Sequence, residues 1–375
     1  MTSSRRHRLL PVAAMMGLAL TGGCSSDASP ATATTAPISS STAASTVAPP
    51  VGAPATEPTT ATPVTPTPGT PTLPAAAEPP PPPPTSAAPT PAPLPVLQGG
   101  PVLAVKIDNT VSSRPRLGLN QADVVYVEPV EAGLTRVLAI FSSNLPPEVG
   151  PVRSARESDV DLLANYGKVA FAFSGGSAGT LGILARGRQV NLSNDASGQG
   201  FRRDNRRPAP YNVIGNTRQL LDRAGGSVPP GNVGFAIGPP SPGGTPAGGV
   251  STAWPSARID LAWNGGRHQY LVTTDGSPDV DAVGGQHGAA TVVVQRVEQH
   301  LSGNRDVNGV QTPVVSVIGQ GEATVLRDGM AWRGQWSRPD AGAPTAFTAG
   351  GQPIGMAAGP IWVLLVPDGQ AVQVR

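Results

Sequence analysis

Cysteine is almost absent from the sequence, since Cys24 is the only one among 375 residues. The chain can therefore form no internal disulfide, and its folded part cannot bind a metal through cysteine. Residues 99–235 also lack histidine, which excludes Ser-His-Asp catalysis, Cys-His catalysis and a zinc site from that segment. His268, His287 and His300 are far apart and form no metal-binding spacing, so we predict neither a metal nor a cofactor.

Charged residues are also few, at 13% of the chain, and the formal net charge is +2. No basic stripe interleaved with aromatic residues is present, so we do not expect nucleic acid as a partner. Aromatic residues make up 4% of the chain. The tryptophans could form a platform for sugar rings, but packing in the core and on sheet faces is the favoured interpretation. They are Trp254, Trp263, Trp332, Trp336 and Trp362.

Proline and glycine, in contrast, are abundant, with 44 and 46 residues. Residues 25–98 consist mainly of Ala, Pro, Thr and Ser and contain neither Lys nor Arg. Such a segment has too little apolar surface to offset the entropy lost on ordering, and the proline run at 79–84 favours extended polyproline geometry. We therefore predict a disordered, proline-rich tether, which leaves about 275 residues for two folded domains.

The first 24 residues have the features of a targeting segment. A basic start at residues 5–8 precedes an apolar stretch at 9–20, which is too short for a comfortable membrane span. The stretch ends in Thr21-Gly22-Gly23-Cys24, which resembles a bacterial lipobox in which the cysteine is lipidated. The alternative is an ordinary cleaved signal peptide. The lipid interpretation predicts an extracytoplasmic protein that is anchored to the membrane through Cys24.

The hydrophobic pattern of residues 99–235 predicts a layered α/β domain with a mixed sheet. Strands are expected at 102–107, 124–127, 134–141 and 169–173, and helices at 154–166, 181–184 and 216–224. Ser154 and Glu157 have the spacing of a capping box at the start of the first helix. The acidic and glycine residues at 131–133 are typical of a hairpin connection.

A Gly/Pro-rich stretch at 238–249 marks a boundary or a long loop, after which the pattern becomes one of strands. We expect a β-rich domain over 236–375 that packs on the first, which gives an α+β fold overall. Trp332 and Trp336 should share one sheet face because their spacing is even. The strands are predicted near 258–263, 268–273, 290–297, 314–318, 323–326, 330–336 and 361–366.

Polar residues cluster beside the apolar runs of the first half. Two of its carboxylates could act as acid and base in glycan cleavage, or each could pair with an arginine and stabilise the sheet. The loop before residue 154 suggests a further site, because a helix start attracts anions and arginine binds carboxylate or phosphate with two donors. One of these arginines could instead pair internally with Glu131 or Asp123. The candidate ligand-binding residues are Asp108, Asn109, Arg114, Asp123, Glu128, Glu131, Thr135, Arg136, Arg153, Ser154, Arg156, Arg203 and Asn212.

Several separated blocks occur in the order found in the YerB-like bacterial lipoprotein family, which the chain resembles over residues 100–367. The most specific blocks are Asp108-Asn109, Arg114-Pro115, Glu131-Ala132-Gly133-Leu134-Thr135-Arg136, Gly150-Pro151-Val152-Arg153-Ser154-Ala155-Arg156 and Pro210-Tyr211-Asn212. The resemblance implies a tethered envelope protein with two domains of unknown function, and it implies no reaction.

Two functions remain open at this point. The first is a non-enzymatic, lipid-anchored module that binds a wall polymer or an envelope protein. The second is a carboxylate-based hydrolase or transferase that acts on cell-wall glycan. The absence of histidine and cysteine from the most patterned half favours the first, and we expect no enzymatic activity. Carboxylates facing each other across an open groove would favour the second.

Overall fold

The computed structural model describes residues 94–95, 97, 100–225, 227 and 229–375. The targeting segment, Cys24 and most of the proposed tether lie outside the described residues. The backbone of Leu94–Pro95 pairs antiparallel with Ala236–Ile237, and Leu97 is buried. The described residues therefore include positions before residue 99, where the sequence placed the start of the folded part, and that boundary stays a prediction.

A large mixed sheet forms the centre of the fold. It contains strands β1 (Leu103–Asp108), β2 (Val124–Pro129), β3 (Thr135–Phe141), β4 (Ala170–Phe173), β5 (Val190–Ser193), β6 (Thr291–Val297), β7 (Gly319–Arg327), β8 (Met330–Arg338), β9 (Ala346–Ala349), β10 (Gln352–Pro353) and β11 (Ile361–Pro367). Their order is β10-β9-β8-β7-β6-β11-β2-β3-β1-β4-β5, and the short strand Thr245–Pro246 joins β8. The pairs β6/β11, β11/β2, β1/β4 and β4/β5 are parallel.

The central strands of this sheet are buried on both faces, which explains their continuous apolar sequences. Every residue of β1, β2 and β3 is buried. Alternate side chains enter different cores, as the pleat requires: Val105 and Ile107 lie in one core, whereas Ala104 lies in the other. Trp332 and Trp336 lie in the second core, as their even spacing predicted.

The second sheet consists of Gly249–Trp254, Ala257–Asn264, Gln269–Thr274 and Val372–Val374, with the short strands Ser277–Pro278 and Gly288–Ala289. Its inner residues, such as Leu261, belong to the first core. Smaller pairings join Gln299–Arg305 to Gln311–Val315, Val280–Asp281 to Gly285–Gln286, and Val213–Asn216 to both Glu148–Val149 and Phe201–Arg203.

Three α-helices lie within the described residues: α1 (Ser158–Ala164), α2 (Ala178–Leu184) and α3 (Thr217–Ala224). None of them is long and apolar enough to span a membrane. The α+β class with a mixed sheet is confirmed. The division at residue 235 stays a prediction, because strands from both sides of it share the large sheet.

The predicted helix over 154–166 was wrong at its start. Helix α1 begins at Ser158 after Glu157, whose side chain forms no cap hydrogen bond, so Ser154 does not cap it. The preceding segment is held by backbone bonds from Arg153 N to the Lys106 oxygen at 2.8 Å and from Ala155 N to the Gly175 oxygen at 3.0 Å. These tertiary bonds keep the segment extended and override the local capping signal.

Strand positions in the second half were less accurate. The strand expected over 314–318 lies at Gln311–Val315, and the strands Gly249–Trp254 and Gln299–Arg305 were missed. The first of these adjoins the Gly/Pro-rich stretch. The second is largely polar and exposed, so neither carries the alternation of a half-buried strand.

Candidate functional site

The register of the large sheet brings the polar clusters of the first half together. Antiparallel pairing sets Asp108, at the end of β1, opposite Arg136 near the start of β3. The connection Glu131–Gly133 joins β2 to β3, and its predicted role as a hairpin connection is confirmed. The extended segment 153–156 runs beside β1, because Arg153 N donates to the Lys106 oxygen.

Asp108 is fully buried beneath this cluster. One of its oxygens, Oδ1, accepts hydrogen bonds from Thr110 N at 2.7 Å and Thr110 Oγ1 at 2.5 Å. The other, Oδ2, lies 2.8 Å from Arg153 Nε and 3.5 Å from Arg136 Nη2. Burial alone would raise the pKa of this carboxyl group, but Arg136 and the bonds from Thr110 and Arg153 outweigh it, and the pKa lies below its ordinary value.

Arg136 is only 5% exposed, although it lines a cavity. Its Nη1 donates to the oxygen of the adjacent Thr135 at 3.2 Å, while Nε has no partner among the described residues. Burial lowers the pKa of Arg136 to about 10, opposed by the charge of Asp108. The guanidinium therefore remains charged at neutral pH with hydrogen-bonding capacity left over.

Arg156 pairs with Glu131 on the other side of the cluster. Its Nε donates to Glu131 Oε2 at 2.8 Å, and its Nη2 contacts the same oxygen. Glu131 Oε1 accepts a 2.7 Å bond from Thr312 Oγ1, which ties the connection to the hairpin 299–315. The internal pairing weighed for these arginines thus holds for Arg156 and Glu131, whereas Arg153 pairs with Asp108.

A buried lysine supports the cluster from below. Lys106 Nζ lies 2.6 Å from Asp159 Oδ1 and also contacts Glu128. Asp159 Oδ2 in turn accepts from the backbone N of Arg156 at 2.7 Å. Burial lowers the pKa of Lys106 to about 8, opposed by the Asp159 carboxylate. The network fixes the segment that carries Arg153 and Arg156.

These arginines line a cavity of about 540 Å³, which we call the arginine cavity. Arg136, Arg153, Arg156 and Arg305 contribute four positive charges to its wall, against the two acids Glu131 and Asp306. Hydroxyl groups are supplied by Thr110, Ser154, Ser177, Thr180, Tyr211 and Thr312. Such a wall suits an anion, because guanidinium groups and those hydroxyl groups whose proton is not already donated to a carboxylate can donate hydrogen bonds to it.

Tyr211 and the hairpin complete the arginine cavity. The guanidinium carbon of Arg153 lies 5.7 Å from the centroid of the Tyr211 ring, and this contact restrains the position of the guanidinium. Arg305 is exposed, and its Nη1 donates to the Gly309 oxygen at 2.7 Å. The hairpin is also held to the first half, because Glu157 Oε1 accepts from Ser302 Oγ at 2.7 Å.

Several candidate residues lie outside the arginine cavity. Asp123 accepts backbone bonds from Ser142 at 2.6 Å and Ser143 at 3.0 Å, and Arg114 pairs with Asp275 at 2.7 Å. The others outside its lining are bonded to neighbours: Asn109 to Thr135 at 2.7 Å, Arg203 to Asn212 at 2.9 Å, and Glu128 to Lys106. Binding roles for the candidate residues stay predictions.

Sequence reasoning missed part of the lining. Arg305 and Thr312 come from a hairpin about 150 residues beyond Arg156, and nothing in their local pattern marks them. Tyr211 carried a signal, since it belongs to one of the blocks behind the family resemblance. The expected helix start at Ser154 does not form the site; the arginine side chains line it instead.

The described residues contain no group of three or more His, Cys, Asp or Glu that could hold a metal. His287 is buried, with Nδ1 2.7 Å from Asn120 Oδ1 and Nε2 3.6 Å from Asp279 Oδ1. Burial, aided by Arg116 and Arg267, lowers its pKa to about 3. This histidine is neutral at physiological pH.

Comparisons with known proteins agree with this architecture. Residues 90–228 match a family described as "Protein of unknown function (DUF3048) N-terminal domain", and residues 250–363 match the corresponding C-terminal domain. A Bacillus subtilis (strain 168) protein named "Putative lipoprotein YerB" is 38% identical over 111 residues, which cover 29% of this chain and 33% of that protein.

A solved structure is also similar. The crystal structure of the YerB protein from Bacillus subtilis matches with a TM-score of 0.62 and 22% identity, covering 75% of this chain and 99% of that one. At this identity the likeness establishes the fold. The two DUF3048 matches follow each other in order and together span more than half of the sequence. The chain therefore belongs to the YerB-like family of two-domain DUF3048 proteins.

Proposed function

We propose that this protein is a lipid-anchored, extracytoplasmic binding module that holds an anionic group of a wall polymer or an envelope protein in the arginine cavity. The observation that carries the proposal is Arg136, a guanidinium that is 5% exposed, lines the cavity and has an Nε without a partner among the described residues. A buried guanidinium with a donor left without an acceptor is costly, and an anion held in the cavity beside it would stabilise its charge.

The charge of the arginine cavity supports the same proposal. Asp108 holds Arg153 and Arg136 from behind, and Glu131 holds Arg156 from one side. The guanidinium groups are thus oriented before a ligand arrives, so little side-chain entropy is lost on binding. Phosphate and carboxylate are the groups that arginine binds best, because its donors match their oxygen spacing.

The hydrolase alternative has less support. Glycan cleavage by two carboxylates needs both to face an open cleft about 5 to 9.5 Å apart. Asp108 and Glu128 are fully buried, and Asp123 caps backbone amides. Glu131 lines the arginine cavity, but both of its oxygens are bonded, to Arg156 and Thr312. Paired carboxylates of this kind favour a binding module.

Two observations of different kinds support the proposed cellular location. The sequence carries Cys24 in a segment that resembles a lipobox, and the similar Bacillus subtilis protein is named a lipoprotein. A lipid on Cys24 followed by the proline-rich segment would hold the binding domain away from the membrane surface. If the segment adopts extended polyproline geometry, at about 3.1 Å per residue, a tether of this length would reach far into a wall.

Titration of the purified protein with inorganic phosphate tests the anion site. We expect saturable binding by calorimetry, weakened about tenfold or more in Arg305→Ala, since a charge-assisted bond contributes about 1.5 to 3 kcal/mol. Arg305 is exposed, so this change should leave the fold intact. Arg258→Ala is the matched control, because Arg258 is 53% exposed, pairs with Asp260 and lies outside the cavity. Absence of saturable binding, or equal loss in both variants, would contradict the proposal.

A further inference from the structure

A second cavity, of about 610 Å³, adjoins the arginine cavity. The two share Val130, Glu131, Ala132 and Arg305 in their linings. The connection Glu131–Gly133 and the hairpin strand that ends at Arg305 therefore border both. A ligand whose anionic group occupies the arginine cavity could extend directly into this second space, which we call the proline groove.

The lining of the proline groove differs in chemistry from that of the arginine cavity. Rigid apolar faces come from Pro129, Trp254, Pro255, Leu301, Pro313 and Pro367. Amide side chains come from Gln299, Gln311 and Gln370. Apolar walls with a few placed polar groups are typical of small-molecule sites. A sugar ring presents the matching surface, with an apolar face and hydroxyl groups around its edge.

Two features show that residues of the groove leave a buried hydrogen-bond donor and some apolar surface without a partner. The indole Nε1 of Trp254, a residue only 6% exposed, has no partner among the described residues. Leu301 and Val310 project from the hairpin with 59% and 40% of their surface exposed. A ligand in the groove could offer a hydrogen-bond acceptor to a buried donor and cover exposed apolar side chains. Both changes lower the free energy.

One wall of the groove is fixed by a close approach of the backbone. Gly133 has φ +67°, and a Cβ added there would lie 2.6 Å from Pro255 Cβ. Ser256 N donates to the Gly133 oxygen at 3.0 Å. Glycine therefore lets the connection contact the second sheet directly, so the border between the two cavities is held from both sides.

We infer that the proline groove is a sugar subsite, and that the ligand class is a glycan whose phosphate group occupies the arginine cavity. The inference rests on the proposed anion site and specifies its ligand. The lining residues that the two cavities share place the ring next to the anion, and the positive lining of the arginine cavity fits the charge of a phosphorylated polymer. The glutamine amides favour a hydroxylated ring over an apolar peptide side chain, since they can bond its edge.

Calorimetry on the purified full chain can separate the subsite from the anion site. The probes are glucose 1-phosphate, inorganic phosphate, and acetyl-phosphoserine-proline amide as a peptide with the same anion. We expect glucose 1-phosphate to bind at least tenfold more tightly than inorganic phosphate and more tightly than the peptide. Leu301→Ala should weaken glucose 1-phosphate binding about fivefold and leave the binding of inorganic phosphate unchanged, because Leu301 lines the proline groove and does not line the arginine cavity.

Leu145→Ala is the control, since Leu145 is 42% exposed and lies outside both cavities. Equal affinities for glucose 1-phosphate and inorganic phosphate, or no effect of Leu301→Ala, would overturn the sugar subsite and leave the anion site standing. Tighter binding of the phosphopeptide would overturn the glycan assignment. If none of the three probes binds, the proposed function itself fails.

Discussion

Replacement of Asp108 by asparagine should lower stability and raise anion affinity at the same time. The carboxylate is fully buried and lies 2.8 Å from Arg153 and 3.5 Å from Arg136. Asparagine keeps the shape and can still accept a bond from Thr110 N, but it carries no charge. The two guanidinium groups then repel each other without a counterion, and an incoming anion becomes that counterion.

The expected loss of stability follows from the burial of the pair. Removing one partner of a buried ion pair costs about 3 to 5 kcal/mol. We expect the lower end, about 3 kcal/mol, because Arg153 is 20% exposed and the introduced asparagine would retain the bond from Thr110 N. Urea unfolding measures this loss. Phosphate at one hundred times its dissociation constant for the variant should stabilise the variant by about 2.7 kcal/mol, and the same concentration should stabilise the wild type by less.

Asp123→Asn is the matched control for this change. Asp123 accepts two backbone bonds, from Ser142 and Ser143, so its replacement should cost about 1.5 kcal/mol and leave anion affinity unaltered. An Asp108→Asn variant as stable as the wild type would refute the ion-pair reasoning. Unchanged or weaker phosphate binding by that variant would refute the assignment of the arginine cavity as the anion site.

Three further outcomes test other parts of the molecule. Lys106→Met should cost about 3 to 5 kcal/mol in urea unfolding by leaving Asp159 and Glu128 unpaired, and adding Glu128→Gln should recover part of that loss; a stable single variant would contradict it. Because His287 has a pKa of about 3 when folded, the unfolded chain binds a proton first as pH falls below about 6.5. Stability should therefore drop by up to about 1.4 kcal/mol per pH unit between 6.5 and 3, with a smaller drop in His287→Gln. Cys24→Ala should move the protein from the membrane to the soluble fraction if Cys24 is lipidated; retention at the membrane, with no lipid mass on the wild type, would contradict that.

The sequence predicted several strands of the central sheet well because their signal is local, whereas the strands Val190–Ser193 and Ala346–Ala349 were missed. Residues 102–107 and 134–141 are apolar and rich in β-branched residues, and burial on both faces requires that composition. The structure places strands at Leu103–Asp108 and Thr135–Phe141. The rule that polar groups gather where buried strands end also led to Asp108, Arg136 and the connection at 131–133.

The site itself was predicted only in part, because its completion is non-local. A capping signal at Ser154 was outweighed by hydrogen bonds to β1 and to Gly175. Arg305 reaches the cavity from a polar hairpin far along the chain, and this hairpin has no hydrophobic periodicity that would predict it from the sequence. The sequence also could not identify which acid pairs with which arginine. The structure shows that Arg153 pairs with Asp108 and Arg156 with Glu131. Local patterns define strands, whereas pairing among several arginines and acids depends on sheet register.

The free energy of the buried charged cluster raises the question of why charged residues, and not apolar ones, occupy these positions. A buried ion pair rarely stabilises a fold more than apolar residues of the same volume would, because desolvation offsets the attraction. Lys106, Glu128, Asp108 and Arg136 are all at most 5% exposed, so the cluster contributes little that aliphatic packing could not. Departures from such packing concentrate at functional sites. Stability alone explains Arg136 least well, because its Nε has no partner among the described residues. This residue lines the cavity that we propose to bind an anion.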